Sequence, residues 1–175
     1  PVGPDARELI LAQPMPAMRA LGDVVLRMRL VAREERGERL LGEYLDVTRV
    51  AYADLEPDND RFTIRHDWRV EGAISTVGVY SLDLFGSRAT SNLRNGLNLV
   101  ICDVDRELRE DDGAAMFNAI GIKAIICCPL VKEGRLVAMM AVHQDTPRNW
   151  TGDDEKLIGE VVERSWAYIE RVRAA

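Results

Sequence analysis

Apolar positions recur in two rhythms along this chain, and the switches between them divide it into elements. Met18, Leu21, Val25, Met28 and Ala32 fall at alternating steps of three and four, and Leu40, Leu41, Tyr44 and Leu45 resume the stripe after the charged stretch Arg33 to Arg39. The pattern predicts one helix from Ala17 to Leu45, roughly 43 Å long at about 1.5 Å per residue. One small sheet cannot cover that length, so part of the seam projects and finds a partner helix. Asp46 to Asp54 then changes to strand character, Glu56-Pro57-Asp58-Asn59-Asp60 is turn chemistry, and Arg61 to Val70 alternates with Phe62, Ile64, His66, Trp68 and Val70 on one face.

Val77 to Leu82 reads as a short strand or extended loop, Asp83 to Gly96 as a short helix and its exit, and Asn98 to Val104 as a strand. Glu107 to Asp112 is an acidic connector and Gly113 to Ile120 a second short helix ended by Gly121. Two β-branched runs, Ile122 to Val131 and Leu136 to Val142, are joined by Lys132-Glu133-Gly134-Arg135 and read as a hairpin in the middle of a sheet. The last helix opens on Thr151 with Asp154 three residues on, which approximates a capping box, and carries Ile158, Val162, Ser165, Ile169 and Val172 at steps of four and three.

Hairpin-linked strands with helices grouped at the ends of the chain predict the α+β class: a central antiparallel sheet with long N- and C-terminal helices packed together on one face. Residues 1–37, with prolines at 1, 4, 14 and 16, form a leader and an N-terminal helix; residues 38–175 form the globular domain and its C-terminal helix.

Composition adds exclusions. No apolar run approaches the ~18 residues of a membrane span, and the N-terminus lacks the basic-then-apolar order of a signal peptide. The net charge of −6 is spread over 29 acids and 23 bases without a single-sign block, and Arg27 to Arg39 is interleaved with Glu34, Glu35 and Glu38, so no nucleic-acid footprint forms. Cys102, Cys127 and Cys128 are an odd number in apolar strand-like runs, which is no disulfide framework and suits a reducing cytoplasm. Neighbours on a strand face opposite sides, so Cys127 and Cys128 cannot readily share a metal; they read as small buried hydrophobes, one of which can line a pocket. The same geometry weakens an acid/base dyad of His66 with Asp67. His143 ends a strand, where it bonds either a ligand or a backbone carbonyl. No glycine-rich phosphate loop or nucleophile elbow is present.

From about Glu38 to Arg171 the chain resembles a GAF domain. The likeness rests on the element order and on Arg49-Val50-Ala51-Tyr52, His66-Asp67-Trp68, Val100-x-x-Asp103-Val104, Gly121-Ile122-Lys123-Ala124, Gly134-Arg135-Leu136-Val137-Ala138 and Pro147-Arg148-x-Trp150. It is closest to the modules of bacterial sensor histidine kinases. That implies a non-enzymatic sensor in a two-component protein, binding a small molecule, dimerising, and passing its signal through terminal helices to a kinase or other output domain. His143-Gln144-Asp145-Thr146-Pro147-Arg148 is similar to the His-His-x-x-Pro-Arg string of phytochromes. However, Gly113 stands where the chromophore-contacting histidine belongs, Gln144 replaces the second histidine, and Asp105 replaces a proline. No bilin or other cofactor is therefore expected. Trp150-x-x-x-Asp154-Glu155 keeps half of a cyclic-nucleotide signature and lacks its Asn-Lys half. The loops where GAF-type methionine sulfoxide reductases carry cysteines hold none here.

The resemblance puts a ligand between the sheet and the connections from Val79 to Met116, with Tyr80, Phe85, Asp103, Met116, Cys127 and His143 as candidate pocket residues. Leu21, Val25, Met28, Ala32, Val162 and Ile169 are the candidate dimer seam. A ligand-free dimerisation and relay scaffold is the alternative, and a cysteine-based reductase a third.

Overall fold

The structure, a computed structural model, describes residues 37–174. The expected leader and the seam residues Leu21, Val25, Met28 and Ala32 lie outside them. The elements run α1 (Glu38–Leu45), β1 (Arg49–Leu55), β2 (Arg61–Arg69), β3 (Gly78–Ser81), a 3-10 turn (Leu82–Phe85), α2 (Ser87–Arg94), β4 (Leu99–Ile101), α3 (Val104–Glu107), a wide turn (Glu110–Ala114), α4 (Ala115–Ala119), β5 (Ala124–Lys132), β6 (Arg135–Gln144) and α5 (Gly152–Ala174). All strands pair antiparallel in the order β3-β2-β1-β6-β5-β4, so the β5–β6 hairpin lies inside the sheet, as its apolar runs predict.

α1 begins at Glu38 because Gly37 stands before it in the left-handed region at φ +79°, its carbonyl accepting the first helical bond from Leu41. The single helix expected from Ala17 to Leu45 therefore does not run through Gly37. β1 starts at Arg49, three residues later than the first expected strand residue, because Asp46 caps α1 in a left-handed conformation. β4 is also shorter than expected. Glu107 reaches back to accept from the Cys102 and Asp103 amides at 2.6 and 2.8 Å, which turns Val104 to Glu107 into helix.

Two register shifts decide which residues share a face. Between Tyr52↔His66 and Ala53↔Ile64, Arg65 is left unpaired, and between Leu130↔Ala138 and Val131↔Leu136, Val137 is. A bulge moves every side chain beyond it to the other face. Phe62 and Ile64 consequently face one layer while His66 and Trp68 face the other, so the single apolar face expected of β2 is divided.

On the helix layer, Leu40, Leu41 and Leu45 of α1 and Leu157, Ile158 and Val161 of α5 pack on Val50, Tyr52, Ile126 and Met140. Val162 and Ile169, expected at the dimer seam, are 1% and 8% exposed in this same core. α5 lies flat on the sheet, and the stripe that reads as an intermolecular seam is the one that faces the chain's own strands. Gly42 of α1 lies against Trp68 so closely that a Cβ there would sit within the indole. The reciprocal capping box is present: Thr151 N–H to Asp154 Oδ2 at 2.9 Å and Asp154 N–H to Thr151 Oγ1 at 3.1 Å. The opposite layer consists of the connections from β3 to α4, and it encloses the second core.

Candidate functional site

The connector layer contains a cavity of about 50 Å³. Its floor is the sheet, where Ala51, Ala53, Ala141 and Cys127 leave space that larger side chains would fill. An aromatic chain runs from the sheet into the cover: Phe62 of β2 stacks on Tyr80 of β3 at 5.4 Å between centroids, Phe85 of the 3-10 turn meets Phe62 at 5.7 Å, and Phe117 of α4 meets Phe85 edge-on at 5.1 Å. One backbone crossing, with a side-chain clip beside it, holds the cover. Gly86 and Gly113, both at positive φ, pass so closely that a Cβ on either would strike the other's loop, and Asp112 accepts from the Ser87 amide and hydroxyl at 2.7 and 2.6 Å. Gly113 and Asp112 are thus non-helical, which is why the short helix expected from Gly113 starts at Ala115.

One end of the cavity is polar. Arg49 and His143 lie directly opposite each other on β1 and β6, 2% and 4% exposed. The Arg49 Nε–H donates to His143 Nδ1 at 2.9 Å, Nη1 to the Ile74 carbonyl at 2.9 Å and Nη2 to the Ile120 carbonyl at 2.9 Å. Since a guanidinium cannot accept, the ring is neutral with its proton on Nε2. Burial, and secondarily the Arg49 charge, hold the His143 pKa well below its usual value near 6.5. The Nε2–H has no acceptor among the described residues, and the ring lines the cavity. Arg49 itself is lowered by burial, against which the field of Asp67 acts. Burial would raise the Asp67 carboxyl. The Thr76 amide and hydroxyl at 2.6 and 2.8 Å, with Ser75 and Arg69, outweigh it and lower the pKa. Tyr80 donates its hydroxyl to the Thr76 carbonyl at 2.7 Å, so its proton does not serve the cavity.

Of the six candidate pocket residues, Tyr80, Phe85, Cys127 and His143 line the cavity, and Met116 packs against its wall. Asp103 does not reach it. It precedes α3 and faces Arg106 at 3.7 Å, because β4 ends before it. Cys127 and Cys128 belong to opposite cores, as strand parity predicts. Burial pushes both thiols up, Cys128 to about 12. His66 and Asp67 part in the same way: His66 pairs with Glu38 of α1 at 3.2 Å while Asp67 turns to the connector layer. Arg49 carries no site signal in the sequence beyond its place in a family string, because its partners lie 25 to 94 residues away.

A wider groove of about 700 Å³ lies between the hairpin tips and the end of α5. Lys132 pairs with Glu163 at 2.6 Å and Arg173 with Asp54 at 3.3 Å, and Arg135 donates to the Pro57 carbonyl at 2.7 Å, so its cations are engaged within the chain.

Solved structures share this architecture. The phycoerythrobilin-bound GAF domain of a cyanobacterial phytochrome superposes with a TM-score of 0.70 at 15% identity, covering 90% of this chain and 98% of its own. Free methionine-R-sulfoxide reductase from Neisseria meningitidis, in complex with its substrate, gives 0.67 at 16%, covering 93% and 95%. The chromophore-binding domain of a bacteriophytochrome from R. palustris gives 0.69 at 11%; 90% of this chain is covered, which spans 64% of that domain's length. At these identities the likeness is one of fold. No curated protein sequence matches the chain. The sequence profile of the GAF domain matches residues 39–169, and the chain belongs to the GAF domain family.

Proposed function

We propose that this chain is the non-enzymatic sensory module of a signal-transduction protein, holding a small, uncharged, largely apolar molecule in the connector-layer cavity and passing its occupancy to α5. The observation that carries the reading is His143: Arg49 occupies its Nδ1, which leaves Nε2–H as the donor of a ring that lines an otherwise apolar cavity. A ligand that accepts from this donor gains about 0.5–1.5 kcal/mol net. The route outward runs through the Pro147 to Trp150 tail. Trp150 Nε1–H donates to the Ile101 carbonyl at 3.1 Å, the Arg148 amide to the Cys102 carbonyl at 2.9 Å, and Asn98 to Glu155 in the first turn of α5 at 3.1 Å. A ligand that favours one placement of β4 biases the start of α5.

The bilins of the structural neighbours do not fit. The cavity of about 50 Å³ falls far below the roughly 300 Å³ of a ligand-sized pocket. Gly113 is packed against the Phe85 carbonyl, with no room for a ring-contacting side chain. Sulfoxide reduction requires a thiolate; Cys127 and Cys128 are buried with raised pKa values, and Cys102 is not among the residues that line the cavity. The parent protein is a cytoplasmic histidine kinase, a reading supported by the local strings alone, and a homodimer through the seam of Leu21, Val25, Met28 and Ala32.

The test is retention of metabolites. The full chain and an Ala51→Leu variant, which fills the cavity, are incubated with a cell-extract metabolite pool, washed, denatured and analysed by mass spectrometry. A molecule recovered reproducibly from the first and not from the second is expected. Equal recovery from both, or none from either, would leave a ligand-free relay scaffold as the better account.

A further inference from the structure

Resting on the cavity reading above, we propose that Arg49 is a positioning residue that sets the polarity of the site: it fixes His143 as a donor, so the cavity selects uncharged molecules that accept a hydrogen bond over those that can only donate one. A neutral imidazole is ambivalent. Either nitrogen can carry the proton, and without a constraint the Nε2 facing a ligand can donate or accept. Arg49 removes the choice, because its Nε–H at 2.9 Å from Nδ1 requires a lone pair there.

Three acceptors on three elements hold the guanidinium in this pose: His143 on β6, the Ile74 carbonyl ahead of β3 and the Ile120 carbonyl after α4. The sheet register sets Arg49 directly against His143, so the pairing belongs to the framework and does not wait for a ligand. The same arrangement disfavours charge. A cation would meet Arg49, while a carboxylate would find one donor where it needs several, since the Tyr80 hydroxyl is committed to the Thr76 carbonyl.

Two measurements on the full chain test this. Long-range proton–nitrogen NMR of His143 at about pH 8 is expected to give a neutral ring protonated at Nε2. A ring protonated at Nδ1, or at both nitrogens, would overturn the proposal. Affinities are then compared for three small rings of similar size, pyridine (acceptor), benzene (neither) and pyrrole (donor), all uncharged at that pH. Pyridine is expected to bind at least about fivefold more tightly than the other two, the equivalent of one net hydrogen bond.

Arg49→Met should erase the preference, and Arg49→Lys, which keeps a donor near Nδ1, should restore part of it. A role in packing alone would weaken all three rings together. His143→Leu carries the same prediction of lost preference and serves if Arg49→Met does not fold. Equal affinities in the unaltered chain, or a preference that survives both substitutions, would contradict the proposal alone. Failure of all three rings to bind would contradict the cavity reading and the proposal with it.

Discussion

His143 makes the domain's stability depend on pH in one direction. Its folded pKa is depressed below about 6.5, so the unfolded chain binds the proton more readily than the folded one. The contribution is complete above about 6.5 and is lost as pH falls from there toward the depressed folded value. Urea midpoints should therefore fall between about pH 7.5 and 5.5, and His143→Gln, which keeps an acceptor for Arg49 without titrating, should flatten that fall. An unchanged slope in the variant would show that His143 is not the titrating group. The residue itself was legible in the sequence as a strand-end histidine, with a structural or a ligand role left open. Its partner was not: what Arg49 does depends on a cross-strand register fixed 94 residues away. Asp103 was misplaced for a related reason, since no local pattern marks that Glu107 folds back and ends β4 early. Cys127 and Cys128 were readable because strand parity is a local rule.

At the scale of elements, the apolar rhythms located five of the six strands and both flanking helices of the described domain and left β3 between strand and loop, while bulges and left-handed residues set limits that the rhythms do not contain. Arg65 and Val137 look like ordinary strand positions, yet each is skipped in pairing and divides its strand between two cores. Gly37 reads as one glycine in a helical stripe and is in fact its boundary. Gly42 has a positive role, admitting the Trp68 ring between α1 and β2. Gly42→Ala should cost about 1–3 kcal/mol by overpacking, measured by denaturant unfolding. Pairing it with Trp68→Leu should cost less than the sum of the two single changes, and strict additivity would rule out the steric account. Thr151→Ala should cost about 1 kcal/mol through loss of the cap on α5. At the cover, Asp112→Ala should speed hydrogen exchange in the first turn of α2 ahead of the sheet, because it removes both bonds to Ser87. Uniform exchange across the domain would contradict a local clip.

For the whole molecule, the two faces of the sheet divide the work. The helix layer is a filled core in which Val162 and Ile169 are buried, so a dimer through α5 at those positions is excluded by the chain's own packing. The seam proposed for the N-terminal residues has its own test. Leu21→Asp with Val25→Asp should yield a monomer by light scattering, and an unchanged dimer would disprove that seam. The connector layer is loosely filled by comparison, holding a cavity between alanines of the sheet and an aromatic cover. Hydrophobic patterning could locate the layer, but the cavity arises from side-chain volumes brought together by strands far apart in sequence.

The central claim is that this cavity admits a small molecule, and xenon under pressure probes it directly, since xenon enters dry apolar cavities. Methyl NMR distinguishes isoleucines on the two faces. Ile64, Ile122 and Ile125 line the cavity, and Ile126, Ile158 and Ile169 belong to the helix-layer core. The first three should shift with saturation while the second three stay fixed; equal shifts in both sets, or none in the first, would contradict the claim.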